Sequence, residues 1–336
     1  MRMSFRNTLI AYSDGRYLTF CVLIAGFALS ACSVMSWQSP YGQSHALTGR
    51  IWDVSAAGLI DRPTLLARLA RADFVLLGEK HDNPDHHRLQ AEAVRGLVAL
   101  GRRPAVGFEM FTVADADAIA KHLALAPNDA AGLGPAVNWH TSGWPDWAMY
   151  QPIAEAVLAA KLPILATNLP LSSARTMSRG GLPLEPSVRR DLGLDRPLSE
   201  AMFARMSADI RKSHCGYGSA ASIHAMLEVQ RARDAQMARS LIAGATAAGA
   251  ILIAGAGHVR SDYGIPAYLT AKAPGKRVIS IAFVEVDDQQ GQPKKYLLAD
   301  AEMGAPFDYL WFTPRIDDED ACEKFKSQLE RFKNAR

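Results

Sequence analysis

The chain has 336 residues, with 37 Lys and Arg against 34 Asp and Glu and a formal net charge of +3. Scattered, near-neutral charge cannot track a phosphate backbone, so nucleic acid is not an expected partner. Hydrophobic residues at 49% and charged residues at 21% exclude disordered, collagen-like and coiled-coil architectures.

In chain order, Arg2, Arg6 and Arg16 precede an apolar run from Leu18 to Leu29 that closes on Leu29-Ser30-Ala31-Cys32. The run is shorter than the ~20 residues a spanning helix needs, so residues 1–31 read as a secretory signal. With a cysteine directly after the small pair, the segment resembles a bacterial lipobox. That resemblance implies a lipid on Cys32, membrane attachment through it and a place in the cell envelope. Ser33, standing where Asp would retain a lipoprotein in the inner membrane, implies the outer membrane, facing the periplasm. Removal of three Arg and one Asp with the signal leaves 34 basic and 33 acidic residues, a net charge of +1. Cys215 and Cys322 then remain as free side chains, to be joined in an oxidising compartment as one disulfide or left as two buried thiols.

Residues 32–46 are rich in Ser and Gln, with Pro40 and Gly42 and without apolar periodicity, and read as the lipid-anchored tether of a single domain, residues 47–336. Short apolar runs predict buried strands at Phe74–Leu77, Ala105–Phe108, Ile164–Ala166, Ala250–Ala254 and Val278–Val284. Between them, Asn83 and Pro84 open a helix with an apolar stripe of Leu89, Ala93, Leu97 and Leu100; His86 and His87 in its first turn are expected to face solvent. Further helices fit Pro63–Arg71, Gln151–Ala160, Glu200–Arg211 and Ser222–Gly244. The alternation predicts an α/β fold, a largely parallel central sheet flanked by helices, with an α-helical insertion at residues 168–218. Lys294–Leu298 and Tyr309–Phe312 read as edge strands. Residues 317–334, with a stripe of Cys322, Phe325, Leu329 and Phe332, read as a C-terminal amphipathic helix.

Polar residues gather where the strands end. Glu79 and His81 leave the first long strand two apart, so an extended backbone points both to one face. Glu109 ends the second strand, Thr167 and Asn168 the third, and Gly255-Ala256-Gly257-His258 the fourth. Ligands of open α/β sheets bind at this carboxyl-end rim.

Six segments carry a resemblance: GEKHDNP (Gly78–Pro84), GFEMF (Gly107–Phe111), SGWPDWAMYQPI (Ser142–Ile153), HCGYG (His214–Gly218), QRARDAQMA (Gln230–Ala238) and GAGHVRSDYGIP (Gly255–Pro266). Together they resemble ChaN-type haem-binding lipoproteins of the Tiki and erythromycin-esterase superfamily, with two Gly-x-x-His motifs, Gly78 to His81 and Gly255 to His258, and Glu109 between. Ala256 stands where that pattern would place Asn. The resemblance implies non-covalent haem binding in iron acquisition, with an outer-membrane haem receptor as partner; other branches imply metal-dependent hydrolysis.

A haem site needs an axial ligand, an apolar slot and cations for the propionates. Tyr263 is the first ligand candidate, following His258 and Arg260 in one turn where a cation or imidazole would lower its pKa; His81, Glu79 and Glu109 share the rim. Trp144, with Trp139, Trp147 and Tyr150, either lines a porphyrin face or packs locally. A flat porphyrin buried between two surfaces favours a homodimer. In the alternative hydrolase reading, His81 and His258 hold a divalent metal ion with Glu79 or Glu109, or one of these glutamates acts as general base on water. A third reading is a lipid-tethered scaffold without a ligand.

Overall fold

Apolar runs too short and too continuous to be helices become the interior strands of a covered sheet. The computed structural model describes residues 36–178, 184–297, 304–320, 322–324 and 326. The strands are β1 (Ile51–Asp53), β2 (Gly58–Ile60), β3 (Phe74–Glu79), β4 (Ala105–Thr112), β5 (Ile164–Asn168), β6 (Ala250–Gly255), β7 (Val278–Glu285) and β8 (Tyr309–Thr313). In the sheet their order is β2-β1-β8-β7-β3-β6-β4-β5. From β8 to β5 all neighbours are parallel, whereas β1 runs antiparallel to both β8 and β2. The mixed α/β fold is therefore as expected, with one antiparallel hairpin at its edge.

The helices are α1 (Arg62–Leu69), α2 (Pro84–Ala99), α3 (Ala116–Leu125), α4 (Ala130–Ala136), α5 (Trp147–Ala159), α6 (Leu171–Ser178), α7 (Pro186–Leu192), α8 (Glu200–Ser213), α9 (Ala220–Gly244) and α10 (Ile265–Lys272). The chain leaves β3 through α2 and passes β6 to enter β4; it leaves β6 through α10 and passes β3 to enter β7. Right-handed crossovers in opposite directions place their helices on opposite faces of the sheet, which opens a crevice at the carboxyl ends of β3 and β6. On one face Phe74, Leu76, Leu252 and Ala254 pack against Met237 and Leu241 of α9 and Ile265 and Leu269 of α10. Register sets Glu79 opposite Gly255, so the polar ends of β3 and β6 lie side by side.

Helix α2 begins as its sequence dictates. The Asn83 side chain accepts the Asp85 N–H at 2.9 Å, and Pro84 occupies the first turn. α6, α7 and α8 form the expected helical insertion. Residues 294–297 of the expected edge strand 294–298 are not a strand: Pro293–Tyr296 is a 3-10 turn, started by Pro293 and held by the Tyr296 hydroxyl on the Gln290 carbonyl at 2.8 Å. Nor do residues 37–46 of the expected tether behave as one. The N–H groups of Gln38 and Ser39 donate to the buried Asp85 carboxylate, Tyr41 pairs with Arg315, and Arg88 lies over the Trp37 ring. A buried carboxylate at a helix start needs donors, and this segment supplies them. Trp37–Arg336 forms one compact unit.

Cys215 and Cys322 are joined, with Cα atoms 5.4 Å apart across 107 residues of chain. The expected signal segment 1–31, the expected lipidation site Cys32 and most of the expected C-terminal helix lie outside the described residues. No helix among the described residues is long and apolar enough to cross a membrane.

Candidate functional site

Two groups of side chains occupy the carboxyl-end rim. The first is a buried charge cluster around Glu79 and Glu109. Glu79 Oε1 accepts the Tyr150 hydroxyl at 2.8 Å and lies 2.9 Å from His81 Nδ1, while its Oε2 lies 2.9 Å from His87 Nδ1. Glu109 Oε2 accepts the Gly255 N–H at 2.6 Å. Its Oε1 accepts from Arg233 at 2.6 Å and lies 3.1 Å from His258 Nε2. On the other side of that imidazole, His258 Nδ1 lies 2.5 Å from Asp234 Oδ1. Gly255 is required here because a Cβ would sit 2.8 Å from His81 Nε2 and 3.5 Å from Glu109 Oε2.

Burial alone would raise both glutamates, but the imidazoles of His87 and His81 hold Glu79, and His258 and Arg233 hold Glu109, well below the usual carboxylate range. Burial likewise opposes a charged His258, yet Glu109 and Asp234 bring it to about 9, so the ring is an imidazolium at neutral pH. Asp234 moves the other way, pushed up to about 6 by burial. The cluster thus holds charge fixed and mutually compensated inside the fold.

His86 and His87 do not face solvent. Both are fully buried, because the turn after β3 folds α2 back over the strand end. His86 accepts the Lys80 N–H at 2.9 Å and contacts the Thr313 hydroxyl; burial drops its pKa to about 3. His87 stacks at 4.1 Å on Tyr150 and touches Glu79. Of the imidazoles around the two glutamates, His81 alone reaches the surface, its side chain 33% exposed against 0% for His87 and 6% for His258. The half-buried Trp144 packs edge-on against it at 4.8 Å. Trp139, Trp147 and Tyr150 are buried against one another at 4.8 and 5.1 Å, with both indole N–H groups donating to backbone carbonyls; they pack locally.

The second group lines a cavity of about 280 Å³ beyond the end of β6, walled by Ala256, Gly257, Ile210 and Phe307. Tyr263 and Arg260 both border it. The Arg260 guanidinium stands 4.8 Å from the Tyr263 ring centroid and 5.8 Å from that of Phe307, and forks onto Asp262. Tyr263 donates its hydroxyl to Asp209 at 3.0 Å. The expected lowering of its pKa is therefore reversed. Burial is the largest effect and raises it, the Arg260 charge lowers it, and Asp209 raises it further, so the phenol stays protonated. His258 does not reach Tyr263, since both of its nitrogens serve Glu109 and Asp234. Gln230 joins the groups, lining the cavity while its side chain lies 2.9 Å from His258 Nδ1.

Among the described residues no three His, Cys, Asp or Glu side chains are arranged to hold a metal ion. His81 Nδ1 is committed to Glu79 and both nitrogens of His258 to Glu109 and Asp234, while His81 Nε2 stands 3.9 Å from Glu109 Oε2, beyond hydrogen-bond distance. Asp209, Arg233 and Asp234 were not assigned a role from sequence. A signal existed for two of them, an Arg-Asp pair inside the apolar middle of a long helix, where charge survives only with a buried partner. Asp209 reaches Tyr263 from α8 across 54 residues and carries no such mark.

A family model described as "Haem-binding uptake, Tiki superfamily, ChaN" matches residues 65–269, which contain every named residue of the charge cluster around the two glutamates and of the cavity except Phe307. No curated protein sequence matches the chain. Among solved structures, one titled as cofacial haem binding to ChaN of Campylobacter jejuni is similar at a TM-score of 0.60 and 22% identity, over 78% of this chain and 95% of that one. The type III effector HopBA1 is similar only at a TM-score of 0.37 and 11% identity, over 75% of this chain and 92% of that one. A succinoglycan biosynthesis protein gives 0.38 and 11%, over 76% and 90%.

Proposed function

As the chain belongs to the ChaN family of haem-binding uptake proteins in the Tiki superfamily, we propose that it binds ferric haem non-covalently at the carboxyl-end rim and acts in haem and iron acquisition. The observation that carries this reading is the cavity beyond β6. It brings together what a porphyrin iron requires: a phenol oxygen on Tyr263, a cation on Arg260, and an apolar wall of Phe307, Ile210 and Ala256. In this proposal Tyr263 would hold the iron as a phenolate, its proton passing to solvent, and Arg260 would supply a cation for a propionate. His81 and Trp144 form the outer lip on the β3 side.

At about 280 Å³ the cavity lies below the 300–1,000 Å³ that encloses a drug-sized ligand, and a porphyrin is larger still. One chain therefore covers part of the macrocycle, which favours a homodimer closing over it. The lipobox-like Leu29–Cys32 supports a lipid anchor, and Ser33 in place of Asp supports an outer-membrane site facing the periplasm where a haem receptor delivers the cargo.

The hydrolase reading draws less support. A general base works best with a pKa near the operating pH, whereas Glu79 and Glu109 are both held far below it. The deciding experiment titrates the protein with ferric haem, followed by absorbance and elution volume. Saturable binding with a tyrosinate charge-transfer band and a shift to dimer mass is expected; no saturable binding would overturn the proposal.

A further inference from the structure

A second cavity lies on the insertion side of the molecule, between α7, the α7–α8 connection and α10, with a volume of about 310 Å³. Its lining is unbalanced in charge. Arg190, Arg196, Arg231 and Lys272 border it against Asp195 as the one carboxylate. Among the described residues Arg190 and Arg196 have no carboxylate partner, and both are exposed at the mouth. Lys272 donates to the Asp191 carbonyl and so keeps its charge uncompensated. The rest of the wall is largely apolar and includes Leu192, Leu198 and Met202.

Arg231, from α9, is 94% buried in this wall, since 6% of its surface is exposed. Two of its guanidinium nitrogens are used, one donating to Glu228 at 2.8 Å and the other to the Arg196 carbonyl at 2.7 Å. Its Nε–H is buried and has no acceptor among the described residues. That nitrogen is covered by protein, so Arg231 serves as part of the cavity wall and the exposed cations at the mouth are the ones open to a ligand.

We propose that this cavity binds a small organic anion, with a carboxylate or phosphate head on a short apolar body. The head meets the exposed Arg190 and Arg196 with Lys272 beside them, where forked guanidinium donors suit planar or tetrahedral oxyanions. The body lies against Leu198 and Met202. The site is separate from the haem rim, with which it shares none of its lining residues.

The test is calorimetric titration of the whole protein with phenyl phosphate, with phenylacetate and, as an uncharged control, with benzyl alcohol. One-to-one saturation is expected with at least one of the two anions and none with the alcohol. The tighter anion identifies the head group. The double variant Arg190→Ala/Arg196→Ala changes exposed residues and is expected to weaken that anion at least tenfold while its ferric haem titration stays as in the parent. Failure of both anions to saturate in the millimolar range, unchanged binding by the double variant, or competitive displacement of the anion by haem would each overturn the proposal. Because haem is titrated separately, loss of the haem reading alone leaves this one standing.

Discussion

His258, in the turn after β6, and Asp234, in the middle of α9, meet at 2.5 Å although 24 residues separate them. The pair ties the rim to the long helix beneath it, and the other side of the same imidazole meets Glu109. Its consequence is a ring that stays charged in a place where burial would neutralise it.

Replacing Asp234 with Asn removes one of the two charges that keep His258 protonated. The His258 pKa is expected to fall by at least one unit from about 9, read by NMR titration of its ring resonances. An unchanged value would show that Glu109 alone sets it. The raised folded pKa also fixes the sign of a stability effect. The contribution of His258 is fully present below its unfolded pKa of ~6.5 and is lost as pH rises through about 9.

Glu109→Gln leaves Arg233 and the His258 imidazolium facing a neutral amide in a buried site. Breaking a buried ion pair on one side costs about 3–5 kcal/mol, so urea unfolding is expected to show a loss of that order at neutral pH. Because Glu109 and Glu79 are held well below their ordinary value, their stabilisation is present above pH ~4.5 and fades as pH falls through their folded pKa. The difference between variant and parent therefore narrows in acid; a constant difference would contradict the assignment.

Tyr263→Phe removes the proposed iron ligand and one hydrogen bond to Asp209 and leaves the ring in place. Ferric haem affinity is expected to fall at least tenfold, with loss of the tyrosinate charge-transfer band and little change in far-UV circular dichroism. A variant that keeps that band would assign the ligand to another tyrosine, whereas a parent complex without the band would point to an imidazole, with His81 next in line because it is the exposed imidazole of the rim.

Binding through Tyr263 also has a pH signature. The phenol is protonated in the free protein, its pKa raised by burial and Asp209 against the opposing Arg260 charge, so ligation as phenolate releases one proton. Affinity is expected to rise about tenfold per pH unit from pH 6 to 8, the slope of one linked proton. Flat affinity over that range would be incompatible with a phenolate ligand.

The Cys215–Cys322 bridge closes 107 residues of chain. Removing it by Cys215→Ser with Cys322→Ser is expected to cost roughly 2–4 kcal/mol in denaturant unfolding. Haem titration is expected to survive, since neither cysteine borders the cavity.

Much of this protein is legible in one dimension. The period of apolar residues marked the strands from β3 to β7 and helices α2, α8 and α9, because a continuous apolar strand of a covered sheet and a helix buried on one face leave different spacings. The antiparallel hairpin β1–β2 escaped notice, since three-residue strands carry too few positions to show alternation. Strand ends placed Glu79, His81, Glu109 and His258 on one rim, because parallel strands must all finish on the same side. What those residues do there was decided by tertiary contact alone. His87 turned inward because α2 folds back over β3, His258 was claimed by Glu109 and by Asp234 on a helix distant in sequence, and Tyr263 gained a proton-holding partner, Asp209, from the insertion. Spacing along the chain reports which face a residue shares with its neighbours. Burial depth and the identity of a charged partner depend on elements that meet only when the sheet is covered, and these set every shifted pKa in the site.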